Sequence, residues 1–236
     1  MKRFFDVYLR TLRVDAATDF YRSVLGAAPR NVFPLHERAL ARGARPHWLG
    51  FVDVGDIEGA VARFVERGAM AMGPKWVNPE GVEAAYVRDP GGAIMALAKP
   101  SSQPRDAGAP LVPDVIFHSL NTPDVERAMT DYREMLGWDF RAPRDLGALG
   151  MFHPFGWEAG GEEVGVLSDI ANRPGVHPHW LFHFRITGLD AAIARVRTEG
   201  GLVLDPIDLP NGDRIAVCDD NQGAAFALHE PAKRTS

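Results

Sequence analysis

Apolar residues recur along this chain in two alternating rhythms, one of every second residue and one of about 3.6. VIFHSLNT (115–122) is rich in β-branched and apolar residues and predicts a strand. Asp124 is then placed to cap a helix with apolar positions Val125, Ala128, Met129, Tyr132, Met135 and Leu136, which Gly137 ends. HWLFHFRI (179–186) predicts another strand, and Leu189, Ala192, Ile193 and Val196 a second amphipathic helix ending at Gly200 and Gly201. Short strands follow at LVLDPIDL, RIAVCDD and AAFALHE, separated by Pro, Asn-Gly and Asn-Gln-Gly turns. The predicted unit is a strand, a helix, then about three strands.

That unit is repeated. PHWLGFVDVGDIEGAVARFVERGAMAMGP (46–74) lies without a gap over PHWLFHFRITGLDAAIARVRTEGGLVLDP (178–206), with nine of 29 positions identical. A match of that length calls for one structural unit used twice. TLRVDAATDFYRSVLG (11–26) matches TPDVERAMTDYREMLG (122–137), and DPGGAIMALAKP (89–100) matches DDNQGAAFALHEP (219–231) after one insertion. The expected division is therefore a half at 1–100, a Pro-rich linker at 101–113 and a second half at 114–232. The halves differ in one place. From Gly137 to Pro178 there are 40 intervening residues, enough for strands at ALGMFHPF and EEVGVLSDI; from Gly26 to Pro46 there are 19, and their middle predicts a short helix. The first module is accordingly expected to be shortened, which moves the expected working site to the C-terminal half.

The ordered series "TPDVERAMTDYREMLGW", "HWLFHFRITGLDAAIARV" and "DDNQGAAFAL" resembles the glyoxalase/bleomycin-resistance/extradiol-dioxygenase superfamily, the vicinal oxygen chelate proteins, and more closely its two-half bacterial glyoxalase-like members. The resemblance covers about 4–100 and 114–231. It implies an α+β fold of tandem βαβββ modules, paired so that curved sheets in each half enclose a cavity. In the metal-using relatives His, Gln or Glu ligands project from the first strand, from the strand that opens the second module, and from the final strand. Carried over, those positions are Asp6, Leu49 and Ala96 in the N-terminal half, and Phe117, Leu181 and Ala227 in the C-terminal half. Five of the six cannot bind a metal, and Asp6 alone cannot hold a divalent ion. The expectation is therefore of no metal and no cofactor.

Alternation along the strands nominates other groups for the cavity. His179, His183 and His229 share the face of Leu181 and Ala227, with His177 in the preceding loop. Ser119, Asn121 and Arg185 join them in the C-terminal half, and Tyr8 and Arg10 face inward in the N-terminal half. An apolar pocket with a few such polar groups suits a small organic ligand. Each of these residues has a simpler reading as a polar strand end meeting water. A displaced metal cluster of His179, His183 and His229 is the alternative chemical reading. His118 is one residue out of phase and is expected to be a hydrogen-bonded core histidine; Trp48 and Trp180 are expected to face the helices.

Composition removes several classes. With 26 Lys and Arg against 31 Asp and Glu the net charge is −5, and no basic run is dense enough to track phosphates, so nucleic acid is not an expected partner. No apolar run approaches membrane-spanning length, and Asp6 and Arg10 interrupt the opening stretch before it reaches signal-peptide length. The single cysteine, Cys218, is expected to be inert, and with no disulfide possible within the chain a cytoplasmic location fits. No phosphate loop or nucleophile elbow occurs. The leading expectation is a small-molecule-binding protein, a monomer that imitates a dimer of halves or a homodimer. The alternatives are a lyase, isomerase or dioxygenase using a displaced histidine site, and a degenerate scaffold for protein association.

Overall fold

The computed structural model describes residues 2–78, 81–101 and 114–233; most of the expected linker lies outside the described residues. Four modules follow one another. The first is β1 (Phe4–Thr11), α1 (Val14–Leu25), β2 (Val32–Pro34) and a four-residue α2 (Glu37–Leu40). The second is β3 (His47–Asp53), α3 (Ile57–Glu66), β4 (Met70–Ala71), β5 (Trp76–Val77), β6 (Glu83–Arg88) and β7 (Ile94–Lys99). The third is β8 (Val115–Asn121), α4 (Val125–Leu136), β9 (Asp139–Phe140), β10 (Arg144–Asp145), β11 (Met151–Gly156) and β12 (Gly165–Ser168). The fourth is β13 (His179–Arg185), α5 (Leu189–Thr198), β14 (Leu202–Val203), β15 (Ile207–Asp208), β16 (Arg214–Asp219) and β17 (Ala225–Glu230).

Each half of the sequence supplies one mixed sheet. The N-terminal sheet has the order β2-β1-β3-β7-β6-β4 with β5 also on β6, and the C-terminal sheet has β10-β11-β12-β8-β13-β17-β16-β14 with β15 on β16 and β9 on β11. Between α1 and β3 the chain forms the expected short helix, α2, and also a strand, β2, that the pattern did not predict. β2 runs parallel to β1, with Arg10 opposite Phe33, as β12 runs parallel to β8, with Asn121 opposite Ser168. Close approach explains Gly165 on β12: a Cβ there would stand 2.3 Å from the His118 carbonyl oxygen and 2.4 Å from the Phe155 ring.

The helices form where local signals coincide. Asp124 caps α4 by accepting from the Arg127 N–H at 3.0 Å, and Asp56 caps α3 by accepting from Gly59 at 3.0 Å. α1 and α4 stop at Gly26 and Gly137, whose φ of 82° and 79° places them in the left-handed region.

Two compact units emerge among the described residues, each drawing on both sequence halves: 2–7, 49–78, 81–101 and 118–180 form the first, and 8–48, 114–117 and 181–233 the second. The first unit is centred on an aromatic cluster. Trp138 is sandwiched between Tyr132 at 5.2 Å and Phe155 at 4.9 Å, and donates from Nε1 to the Lys2 carbonyl at 2.7 Å. Phe4 lies against His118, Trp138, Trp157 and Trp180. Its helices α3 and α4 are joined by Arg67, which reaches the buried Asp131 at 2.6 Å and Glu134 at 2.5 Å. In the second unit α1 and α5 pack together, and Phe20, Tyr21, Trp48, Phe184 and Phe226 fill the space beneath α1.

A buried tyrosine–aspartate hydrogen bond recurs in each unit. In the first, Tyr132 of α4 donates to Asp89 at 2.8 Å, and Trp180 stands edge-on to the Tyr132 ring at 5.7 Å. In the second, Tyr21 of α1 donates to Asp220 at 3.2 Å and accepts from Trp48 Nε1 at 2.8 Å. Trp48 and Trp180 are the tryptophans of the duplicated PHWL, and both are buried, as expected. Asp89 and Asp220 also hold their own turns, accepting from Ala93 at 2.8 Å and from Gln222 and Ala224 at 2.8 and 2.9 Å. Burial raises both carboxyl pKa values, and burial with the adjacent carboxylate pushes both tyrosines well above the ordinary phenol range. Replacing Tyr21 or Tyr132 by Phe removes the donor from a buried carboxylate while keeping the ring. Each variant is expected to lose about 1–3 kcal/mol of stability in urea unfolding at neutral pH, whereas exposed Leu204→Ala should stay within about 0.5 kcal/mol of the parent.

Candidate functional site

The three positions carried over from the metal-using relatives to the C-terminal half all lie in the second unit, on β8, β13 and β17. β13 and β17 are parallel neighbours, with His183 opposite Ala227 and Arg185 opposite His229. Phe117 of β8 reaches both of them: its ring centroid is 5.4 Å from His183 and 5.8 Å from His229. The three strands therefore converge as a ligand set would require. The donors do not: Phe117, Leu181 and Ala227 offer no lone pair to a cation, and Leu181 and Ala227 are buried. In the first unit the corresponding positions are Asp6, Leu49 and Ala96; Asp6 accepts from its neighbour's N–H, Val7, at 2.9 Å. Among the described residues no three His, Cys, Asp or Glu side chains are grouped so as to hold a metal ion. The residues present do not fit the divalent metal of the resemblance.

One alternation further along both strands stand His183 and His229, buried, with ring centroids 5.6 Å apart. His229 Nε2 lies 2.9 Å from Asp213 Oδ2, and Asp213 is itself held by the Ala232 N–H at 2.8 Å. The carboxylate fixes the tautomer, with the proton on Nε2 and the lone pair on Nδ1. That Nδ1 is buried and makes no hydrogen bond. Asp213 was not expected from the sequence, because its link to His229 joins a turn to a strand 16 residues away.

The remaining candidates divide between the units. In the first, Ser119 and Asn121 are buried; Asn121 accepts from Ser168 Oγ at 3.2 Å and its amide lies 3.4 Å from His179 Nε2. His179 Nδ1 bonds the His177 carbonyl at 2.8 Å, and His177 lies outside β13, as expected. In the second unit Arg185 is exposed and paired with Asp114 at 2.8 Å. Tyr8 is buried against Phe33 at 5.3 Å, and Arg10 lies over the same ring at 5.1 Å. His179 is thus engaged with Asn121 and His177, while His183 and His229 form a pair with Phe117.

Two side chains outside the candidate set behave as expected. Cys218 is buried on β16, and burial with the neighbouring Asp219 charge pushes its thiol up to about 12, which leaves it inert near neutral pH. His118 is buried, its Nδ1 bonded to the Val164 carbonyl at 2.9 Å and its ring stacked on Phe4 at 5.1 Å. A groove of about 760 Å³ not suggested by the sequence opens beside Arg67, Asp124, Arg127 and Asp131 in the first unit. Its arginines are already committed, Arg67 to Asp131 and Glu134 and Arg127 to Asp131 and the Arg67 carbonyl.

Comparisons with known proteins agree with this architecture. No protein-family model matches the chain. The Mycobacterium bovis protein named "Putative glyoxylase CFP32" is 29% identical over 194 residues, 80% of this chain and 72% of that protein. Among solved structures, the 2,3-dioxygenase LapB from Pseudomonas sp. KL28 superposes with a TM-score of 0.62 at 14% identity, over 99% of this chain and 93% of that one. The Mn(II)-bound glyoxalase from Novosphingobium aromaticivorans gives 0.63 at 11% identity, over 99% and 84%. No helix among the described residues is long and apolar enough to cross a membrane.

Burial lowers the His118 pKa to about 4. The native state thus stays neutral while the unfolded chain takes up a proton below pH 6.5, so this stabilisation is complete above pH 6.5 and is lost as pH falls towards 4. Between pH 7 and pH 5 the protein should lose roughly 2 kcal/mol more stability than a His118→Phe variant. His47 and His179 are shifted in the same direction, so the variant should keep a shallower slope in urea titrations at the two pH values.

Proposed function

The chain belongs to the glyoxalase/extradiol-dioxygenase, or vicinal oxygen chelate, superfamily, and from that premise we propose that it binds a small organic molecule without a catalytic metal. The binding groups are Phe117, His183 and His229 of the second unit. The observation that carries this reading is the orphaned His229 Nδ1, a buried acceptor beside two aromatic rings, with its tautomer set by Asp213. A buried polar atom left unpaired is unfavourable by about 1–3 kcal/mol, and a ligand hydroxyl or N–H would remove that cost. The neighbouring rings of Phe117 at 5.8 Å and His183 at 5.6 Å favour a flat, conjugated partner such as a phenol or enol. Replacement of the superfamily's ligand positions by Phe117, Leu181 and Ala227 supports metal-free binding.

A catalytic reading is favoured by one further feature. Asp213 holds the proton of His229 on Nε2, which leaves the Nδ1 lone pair as the atom a bound acid would meet. The two readings share a site and differ in turnover.

A melting screen against hydroxylated and carbonyl-bearing aromatics should yield saturable shifts that survive chelator treatment and vanish in His229→Ala. Absence of any shift across such a set would count decisively against the binding site. Elemental analysis of the purified protein is expected to find no stoichiometric transition metal; stoichiometric zinc, iron, nickel or manganese that disappears in His183→Ala would overturn the metal-free reading.

A further inference from the structure

Of the six asparagines in the chain, only Asn211 is followed by glycine. Asn211 and Gly212 form the exposed turn between β15 and β16, where Gly212 has φ 86° and donates from its N–H to the Leu209 carbonyl at 2.9 Å. The Asn211 side chain is bound twice to Asp213. Its amide donates to Oδ2 at 3.0 Å, and its oxygen accepts from the Asp213 N–H at 3.1 Å. Oδ2 is also the atom that takes His229 Nε2 at 2.9 Å, while Oδ1 takes the Ala232 N–H at 2.8 Å. An exposed amide thus shares one carboxylate oxygen with a buried imidazole. The arrangement is peculiar to this half of the sequence: with Glu83 opposite Lys99 as Arg214 is opposite Glu230, the positions equivalent to Asp213 and His229 hold Val82 and Ala98.

Sequence and exposure open Asn211 to one reaction. Glycine has no side chain to shield its nitrogen, so the amide carbon of an Asn-Gly pair is open to attack by the backbone nitrogen that follows it. Gly212 N loses its proton and bonds to Asn211 Cγ, the Cγ–Nδ2 bond breaks, and ammonia leaves. Water then opens the cyclic imide. Cleavage at Cγ gives aspartate and cleavage at the backbone carbonyl gives isoaspartate; the net change is water taken up and ammonia released. The hydrogen bond from Gly212 to Leu209 must open first, which sets the reaction on the timescale of ageing.

We propose that Asn211 is a deamidation site whose conversion to a carboxylate loosens Asp213 from His229. Conversion removes a donor from Asp213 Oδ2 and sets a like charge beside it, and two adjacent carboxylates repel. His229 then loses the partner that keeps its proton on Nε2. The consequence for ligand binding rests on the proposed site at His229; the modification and its effect on the imidazole do not.

The intact protein is aged at mildly alkaline pH and followed by peptide mass spectrometry. The mass gain of amide-to-acid conversion should appear at Asn211 well before Asn31, Asn78, Asn121, Asn172 or Asn221, as both aspartate and isoaspartate, and Asn211→Gln should abolish it at that position. In proton–nitrogen correlation spectra at neutral pH, the His229 Nε2–H resonance should be visible in fresh protein. It should be lost to exchange with water in the aged protein and in Asn211→Asp, with circular dichroism unchanged. Asn172→Asp, which adds an exposed charge in the other unit, should leave that resonance in place. Should Asn211→Asp not fold, the aged protein carries the same comparison. Phenol, the probe for binding, should bind fresh protein roughly tenfold more tightly than aged protein; phenol that binds neither counts against the binding reading alone. Conversion elsewhere ahead of Asn211, or an unchanged His229 resonance after conversion, would each overturn the proposal.

Discussion

The buried tyrosine–aspartate hydrogen bond is the constraint on which each unit depends. A carboxyl group taken out of water is costly unless donors surround it, and in both units the donors come from two directions. Turn N–H groups hold one oxygen of Asp89 and of Asp220, and the tyrosine of a helix from the other sequence half holds the second. The turn leading into the last strand of one half is thereby tied to the first helix of the other. The surrounding aromatic rings exclude water from this bond, and without it they would enclose an unsatisfied charge.

The functional surface shows the opposite tendency. Three strands of the C-terminal half bring Phe117, His183 and His229 together, while Phe117, Leu181 and Ala227 themselves carry no donor for a cation. Backbone convergence is fixed by register and packing and does not depend on which donor atoms the side chains carry. The two half-sheets also differ in residue type at equivalent positions, with Asn121, Ser168 and His179 in one and Arg10, Phe33 and His47 in the other.

Much of the fold was legible because its signals are local. The caps and glycine stops of α4, the 3.6-residue periodicity of the longer helices and the alternation of β8 and β13 all lie within short windows. The core position of His118 followed from its phase alone. β2 was missed because a three-residue strand carries too little alternation to be seen. The tyrosine–aspartate pairs were invisible for another reason: they join residues 43 and 199 positions apart, and each aspartate reads locally as an ordinary turn residue. His183 and His229 could be placed on one face from alternation alone, whereas Asp213 became relevant only through the partner that tertiary structure brings to it.

Among the described residues the chain passes from one compact unit to the other within β1, β3, β8 and β13. This interleaving governs how the protein can be made. As the polypeptide leaves the ribosome, the first unit lacks a piece until Trp180 has emerged, and the Tyr21 hydroxyl lacks its acceptor until Asp220 follows. The part of α1 that packs on α5 must wait while most of the chain is synthesised, and the long sequence separation of that contact makes closure slow. Premature termination ahead of α5 would leave α1 without the helix it packs against, a form that quality-control machinery would meet as exposed hydrophobic surface.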